Sequence, residues 1–172
     1  MECACKWWSG HAAAVMCAAA VRVAHGDRLA TGSRDHCVRL LDLQPSPTGS
    51  WEASNRRLLE PPHYDGVQAL VLSGDFLYSA SRDSSLKCWN LADDSLTHSV
   101  MNAHKGWVTG LCGVGGVGGA SGGGRLASVG RDQALRLWSC ALRAAAPPAA
   151  LPDVPHALAA APAAHALYTA GR

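Results

Sequence analysis

The sequence predicts an all-β fold that consists of three repeated antiparallel sheets and part of a fourth. Short apolar runs that alternate with period two are separated by Gly, Asp and Ser clusters, which is typical of short strands joined by tight turns. An Asp with a bulky apolar residue six positions later and a His upstream occurs three times: His11, Asp35 and Leu41; His63, Asp83 and Trp89; His104, Asp132 and Trp138. The aspartates are 48 and then 49 positions apart (35 to 83, and 83 to 132). A nearly constant period with loops of variable length is typical of repeated sheets.

Composition limits the classes of function. The chain of 172 residues is 48% apolar but only 6% aromatic, and its net charge is +2. This charge is too small to indicate binding to nucleic acid or to a membrane surface. No apolar run is long enough to span a bilayer, so no membrane insertion is predicted. The first residues, MECACKWWSGH, lack the pattern of a secretory signal, which favours a reducing compartment.

The seven cysteines are predicted to be small core residues, because their number is odd and they are scattered over the repeats. Only Cys3 and Cys5 are close together, and no second Cys pair or His lies at a ligand spacing from them. The sequence therefore predicts no metal site and no cofactor. A zinc protein that uses His and Cys ligands is the less favoured alternative.

The first repeat spans residues 10–60 and follows an extension at 1–9. Its predicted strands are the apolar runs at 15–21, 28–33 and 38–43, followed by a Pro-, Ser- and Gly-containing link at 44–54 and an outer strand at 57–59. The second repeat, 61–101, is the most regular copy. Its predicted strands lie at 67–71 and 76–78, in a third run that ends at Trp89-Asn90, and at 96–101.

The third repeat spans residues 102–140 and contains a Gly-rich segment at 113–124. Eight glycines in this segment predict a flexible loop between strands. Residues 141–172 are predicted to form an Ala/Pro-rich link, which is weak strand material up to 166, and a truncated fourth copy. The fourth copy is inferred because LYTAGR at 167–172 is similar to LASVGR at 126–131. Trp7, Trp8 and Trp51 lie outside the repeat register and have no predicted place.

A His after a turn, Ser-x-Asp, and a Trp six positions after the Asp together resemble the WD-repeat family. In that family the repeats form the four-stranded blades of a β-propeller. The resemblance implies a partial β-propeller with about three four-stranded blades and an incomplete fourth blade. Because a closed ring needs more blades, the remainder of the propeller is expected in a longer parent chain.

The resemblance also implies a buried, hydrogen-bonded tetrad of His, Ser or Thr, Asp and Trp in each blade. Such a tetrad supplies partners to a carboxylate that burial would otherwise strand. Residue by residue, the implied members are His63, Ser81, Asp83 and Trp89 in the second repeat, His11, Ser33 and Asp35 in the first, and His104, Asp132 and Trp138 in the third. Leu41 replaces the Trp of the first repeat. Gly130 replaces the Ser of the third, where Ser128 is the candidate substitute.

Three segments, EPPHYDGVQAL, SRDSSLKCWNL and NAHKGWV, resemble the WD-repeat domain at the carboxyl end of kinesin-like motors of the fourth kinesin class. In such motors an amino-terminal domain hydrolyses ATP, and the propeller is regarded as a docking and tubulin-contacting module. The resemblance implies a cytoplasmic protein of the microtubule cytoskeleton, with tubulin, microtubules or motor cargo as partners. This chain has no G-x-x-x-x-G-K-[ST] loop, so a non-catalytic scaffold is predicted.

One arginine precedes the Asp of each repeat, namely Arg34, Arg82 and Arg131. The resemblance places these turns on one face of the blades, where guanidinium groups suit acidic partners such as the tails of tubulin. Tyr64 and Trp107 are predicted as anchors on the same face. The alternatives are that the arginines are solvated turn residues and that Trp107 packs between blades.

Two other classes of function stay open as alternatives. One is a WD-repeat adaptor unrelated to kinesins, such as the substrate receptor of a ubiquitin ligase. The other is an enzyme that uses the His residues as bases. One His at the same landmark of each repeat favours an architectural role, and no nucleophile elbow accompanies it. No catalytic residue is therefore predicted.

Overall fold

The computed structural model describes residues 10–23, 26–47, 51–114, 124–161 and 166–171. The terminal extension with Cys3, Cys5, Trp7 and Trp8, and most of the Gly-rich segment, lie outside the described residues. Every regular element in the described ranges is a β-strand. The strands are β1 (Val15–Val23), β2 (Gly26–Ser33), β3 (Val38–Pro45), β4 (Trp51–Leu58), β5 (Val67–Ser73), β6 (Phe76–Ser81), β7 (Leu86–Asn90), β8 (Ser95–Val100), β9 (Val108–Val114), β10 (Arg125–Gly130), β11 (Ala134–Ser139), β12 (Ala149–Ala150), β13 (Pro155–Ala161) and β14 (Ala166–Gly171).

The strands form antiparallel sheets in which neighbours in sequence are neighbours in space. Three sheets have four strands each, β1 to β4, β5 to β8 and β9 to β12, and a two-stranded sheet pairs β13 with β14. Successive sheets stack so that β1, β5, β9 and β13 are adjacent to one another along the stack. The predicted all-β fold of three four-stranded sheets and an incomplete fourth is confirmed.

The central strands of the second sheet are buried on both faces because sheets cover them from either side. Leu77 and Trp89 pack with residues of the first sheet in one apolar cluster. Tyr78 and Cys88, which pair with each other across β6 and β7, pack with residues of the third sheet in another cluster. Because successive side chains of a strand point to opposite faces, the second sheet contributes side chains to two separate apolar cores. The outer strand β8, by contrast, is mostly exposed.

A repeated backbone hydrogen bond connects each sheet to the next. The turns between the second and third strands contain a residue with positive φ, at His36, Ser84 and Gln133. The carbonyl groups of these residues accept hydrogen bonds from the amides at the start of the following repeat, which are His63 (3.1 Å), His104 (3.4 Å) and Leu151 (2.7 Å). Leu151 thus occupies the place of the His in the fourth copy, which lacks this member of the tetrad.

A cluster of four charged side chains joins the first two sheets away from these turns. Arg28 Nε lies 3.1 Å from Asp42 Oδ1, and its Nη1 lies 3.5 Å from Asp94 Oδ1. Arg57 pairs with the same two carboxylates. Since the charges alternate and are partly buried, this network is less screened than an isolated surface pair.

The third sheet extends past the predicted boundary at residue 140. Ala149 and Ala150 form its outer strand, paired with Leu135 and Ala134 of β11. Alanine is a weak strand former and the pairing covers only two residues, so the sequence carried no alternation to reveal it. Trp51, which had no predicted place, begins the outer strand of the first sheet opposite Pro45. In the described part of the chain, no helix has the length and hydropathy to cross a bilayer.

Candidate functional site

The second repeat contains a continuous chain of hydrogen bonds, which is buried in the core and partly buried at the turn. The Nδ1 atom of His63 lies 3.1 Å from Asp83 Oδ2, and its Nε2 atom lies 2.8 Å from Ser79 Oγ. The indole Nε1 of Trp89 donates to the same Ser79 hydroxyl at 3.0 Å. The chain therefore runs from the indole in the core to the carboxylate at the turn, and every polar atom in it has a partner.

The hydroxyl in this chain belongs to Ser79, so the predicted assignment to Ser81 is wrong. Ser81 Oγ instead donates to the carbonyls of Asp65 (2.8 Å) and Gly66 (3.1 Å), and it accepts the amide of Asp83 at 3.2 Å. The two serines point the same way on β6, but Ser81 is at its last position, level with the turn. Only Ser79 is deep enough in the sheet to reach the indole of Trp89.

The third repeat has the same arrangement. His104 contacts Asp132 at 2.8 Å and Ser128 at 2.7 Å, and Trp138 Nε1 donates to Ser128 at 2.8 Å. Ser128 is therefore the hydroxyl member. A Cβ added at Gly130 would lie 2.6 Å from His104 Nδ1, so the imidazole itself takes the space of a side chain at that position.

The first repeat has a shortened version of this hydrogen-bond chain. His11 Nδ1 lies 2.9 Å from Asp35 Oδ2, and His11 Nε2 lies 2.9 Å from Thr31 Oγ1. The predicted Ser33 is wrong for the same reason as Ser81, because its hydroxyl donates to the Ala13 carbonyl at 3.1 Å. Leu41 is fully buried, so the chain ends at Thr31 and apolar packing takes the place of the indole.

A sequence signal for the correct hydroxyl exists. A Ser or Thr lies four positions before the Asp in all three repeats, at Thr31, Ser79 and Ser128. Two positions before the Asp, the third repeat has Gly130. The departure at Gly130 therefore indicated that the hydroxyl belongs two residues earlier in every repeat.

These contacts define the charge states of the His and Asp members of the tetrads. Burial lowers the pKa of His63 and of His104 below the usual value, and this outweighs the opposing influence of the Asp carboxylates. Burial would raise the pKa of Asp83, but hydrogen bonds from His63, Ser85 and the Tyr64 amide outweigh it and hold that pKa well below its usual range. A neutral imidazole donates from Nδ1 to the carboxylate and accepts the Ser hydroxyl at Nε2. These His residues are thus engaged as structural donors and acceptors.

Each Asp also fixes the backbone of the segment that contains the His. The amides that follow the three His residues, those of Ala12, Tyr64 and Lys105, donate to Asp35, Asp83 and Asp132 at 2.8, 2.8 and 2.9 Å. The residue after the His and the residue before the Asp are consequently brought to the same edge of the sheets. This edge is where the predicted binding residues lie.

We call the surface formed by Arg34, Tyr64, Arg82, Trp107 and Arg131 the arginine face. The amides of its three arginines donate to the carbonyls of Ala14, Gly66 and Trp107 at 2.9, 3.0 and 2.9 Å. Arg34 and Arg131 are exposed, and Arg82 is half-buried. The structure thus brings the three arginines to equivalent positions on successive sheets.

Trp107 is sandwiched between two of these arginines. The guanidinium carbon of Arg82 lies 4.3 Å from the centroid of its ring, and that of Arg131 lies 4.2 Å away. Both are cation–π distances. Trp107 is half-buried, so it packs between sheets and also contributes to the surface. Tyr64 is 78% exposed, which leaves its ring available for contact.

The described ranges contain no cluster of side chains that could bind a metal ion. No three His, Cys, Asp or Glu side chains there converge as a metal site. Burial raises the pKa of Cys17 to about 12, and those of Cys88 and Cys112 to about 11, which keeps these thiols protonated and unreactive.

Comparison with known proteins identifies the repeats. The family model of the WD domain, G-beta repeat, matches residues 2–42, 56–90 and 95–139, which together make up more than half of the chain. The chain belongs to the WD40 repeat family. WD40 propellers generally serve as scaffolds for protein interaction and are generally not catalysts.

This WD40 chain is similar to kinesin-like proteins. It is 40% identical over 104 residues to the human kinesin-like protein KIF21A, a match that covers 60% of this chain and 6% of that protein. It is also 32% identical over 85 residues to the nuclear distribution protein nudF of Aspergillus terreus, which covers 47% of this chain and 17% of that protein. The chain therefore spans only a small part of these relatives.

The solved structures agree on the fold. The WD40 β-propeller domain of Doa1 superimposes with a TM-score of 0.62 at 19% identity, over 87% of this chain and 45% of that one. The described sheets of this WD40 chain are accordingly successive blades of a partial propeller, in which the ring is not closed.

The corrected hydroxyl assignment can be tested by Ser79→Ala. This change leaves the Trp89 indole and the Nε2 atom of His63 buried without a partner, so we expect a loss of about 2–4 kcal/mol in the free energy of unfolding. The matched control Ser81→Ala should cost about 1 kcal/mol, since the third blade has Gly130 at that position. Urea unfolding followed by Trp fluorescence measures both. A larger loss for Ser81→Ala would contradict the assignment.

The buried His and Asp members predict a pH dependence of stability. Their pKa values are lower in the folded chain, so the unfolded chain takes up protons first as the pH falls. The free energy of unfolding should be nearly constant between about pH 7 and 8, decrease below about pH 6.5 as the His of the unfolded chain protonate, and decrease again below about pH 4. Urea unfolding across this range measures it. The control is His98→Gln, which removes an exposed imidazole outside the tetrads. A free energy that stays flat between pH 7.5 and 5 would refute it.

Proposed function

We propose that this chain is a non-catalytic interaction module whose arginine face docks an acidic segment of a protein partner. The observation that carries the proposal is the Trp107 sandwich, in which two guanidinium groups are held beside an aromatic ring at the surface. Arg and Trp are the residue types that dominate binding energy at protein interfaces. Held side chains also lose less entropy on binding than free ones.

The charge of the face supports an acidic partner. Among the described residues, no carboxylate lies within ion-pair distance of Arg34, Arg82 or Arg131. The aspartates that follow these arginines in the sequence, Asp35, Asp83 and Asp132, are engaged in the tetrad contacts. The three positive charges thus remain available to a partner, and they would also accelerate its approach.

The similarity to kinesin-like proteins supports a more specific version. The segments that resemble those proteins include Tyr64 and Trp107, which are part of the arginine face. We propose that the partner is tubulin, through its acidic tails, or motor cargo, and that the chain acts in the cytoplasm on the microtubule cytoskeleton. In this role it would be part of the tail of a plus-end-directed motor.

The proposal is tested by charge reversal in the 172-residue chain. The variant Arg82→Glu/Arg131→Glu should reduce co-sedimentation with stabilised microtubules at low ionic strength by roughly tenfold or more, because it replaces attraction by repulsion. The control is Arg125→Glu/Arg143→Glu, which makes the same charge change at the opposite end of the third sheet. Circular dichroism verifies that both variants are folded.

The outcomes separate the parts of the proposal. Normal binding by the control with weak binding by the face variant supports the arginine face. Equal loss in both variants would show only a dependence on net charge and would contradict it. If the unmodified chain does not bind microtubules at all, tubulin is the wrong partner.

A further inference from the structure

Gly66 and Trp107 occupy equivalent places in the second and third blades. Each lies three residues after the tetrad His and directly before the first strand of its blade, β5 or β9. The carbonyl of each accepts the amide of the arginine in its own blade, Arg82 or Arg131. The two positions differ only in what they place between neighbouring arginines.

In the third blade, the indole of Trp107 fills the space between Arg82 and Arg131. In the second blade, Gly66 supplies no side chain between Arg34 and Arg82. A Cβ built on Gly66 would lie 3.3 Å from Arg34 Cα, 3.8 Å from Arg34 Cγ and 3.8 Å from Arg82 Cδ. Both arginine stems therefore border the same point above the glycine, and any larger residue would project between them.

Within the described ranges, the two arginines at Gly66 have no carboxylate at ion-pair distance. The Nε atom of Arg82 is buried, and it has no hydrogen-bond partner among the residues that the structure describes. Asp65 is next to the glycine, but its Oδ1 accepts the Gly66 amide at 2.6 Å and makes no ion pair with the arginines within the described residues. Neighbouring positive charges without an anion repel each other, so a bound anion would relieve a local cost.

Stacking prepares Arg82 for such an anion. One side of its guanidinium is held against Trp107, which restricts the rotamers of a long side chain and leaves the donors at its rim free. The planar fork of an Arg matches the two oxygens of a carboxylate, and charge-assisted bonds of this type are roughly twice as strong as neutral ones.

We propose that Arg34 and Arg82 form a carboxylate clamp over Gly66, which binds one Glu or Asp side chain of an acidic peptide. The inference rests on the proposed docking role of the arginine face and identifies where on that face the specific contact lies. Arg131, on the far side of Trp107, contributes only general attraction. The exposed ring of Tyr64, two residues before Gly66, lies on the same face beside the clamp.

The test measures the Kd of a fluorescein-labelled hexaglutamate peptide for the 172-residue chain by fluorescence anisotropy at low ionic strength. Arg34→Gln, Arg82→Gln and Arg131→Gln each remove one positive charge. The clamp predicts that the first two raise Kd about tenfold or more, since each breaks a charge-assisted bidentate contact. Arg131→Gln should raise Kd only about two- to fourfold, as expected for an exposed charge.

A second set of variants keeps the charge and removes the fork. Arg82→Lys should weaken peptide binding nearly as much as Arg82→Gln, whereas Arg131→Lys should restore most of the binding that Arg131→Gln loses. Circular dichroism establishes whether each variant is folded. If a glutamine variant does not fold, the lysine variant at the same position is used in its place.

The outcomes distinguish the clamp from the face. Equal effects at Arg34, Arg82 and Arg131, together with full rescue by lysine, would overturn the clamp and leave the arginine face as a general acidic docking surface. Unchanged Kd in all three glutamine variants would overturn both. Selective loss at Arg34 and Arg82 that lysine does not rescue supports the clamp.

Discussion

The largely buried carboxylates of the first three repeats, Asp35, Asp83 and Asp132, hold the blades in their present form. The carboxylate of Asp83 accepts hydrogen bonds from the ring of His63, 20 residues upstream, and from the amide of Tyr64, the residue after that His. A charge this close to the core is tolerated because it has several hydrogen-bond partners, and removal of one partner would leave another buried and unsatisfied. The same contacts define the turn, so the entry to the first strand and the turn after the second strand are held together at one edge of each of the first three blades.

This constraint also decides which residues are free to interact. The tetrads occupy His, Ser, Asp and Trp, the side chains that a catalytic reading of the sequence would use. They leave the residue before each Asp, an arginine in all three blades, and the residues after each His directed to the surface. Architecture and the arginine face are therefore produced by one motif. One position of the motif differs between blades. Trp107 fills the space between Arg82 and Arg131, whereas Gly66 places no side chain between Arg34 and Arg82.

The periodic features of the fold could be predicted from the sequence, whereas those that depend on depth in the sheet or on distant partners could not. The interval from Asp to the bulky residue is fixed because both lie on one hairpin, so the blades and their His and Asp positions could be read from spacing. Ser79 and Ser81 have the same direction on β6, and only the depth of the Trp89 indole distinguishes them. The sandwich of Trp107 involves arginines more than 20 residues away on either side, and no local pattern reveals such a contact. Ala149 and Ala150 form a strand by pairing with the edge strand β11, a contact that their own sequence does not indicate.

In the second and third blades, neutral imidazoles connect a largely buried carboxylate to a buried indole through a serine hydroxyl. Nitrogen-15 NMR of the chain at neutral pH tests it most directly, through the tautomers of His63 and His104 and the exchange of the indole protons. We expect the Nδ1–H tautomer for both His residues, and indole protons of Trp89 and Trp138 that exchange far more slowly than that of the half-exposed Trp51. Nε2–H tautomers, or indole protons of Trp89 and Trp138 that exchange as fast as that of Trp51, would contradict it.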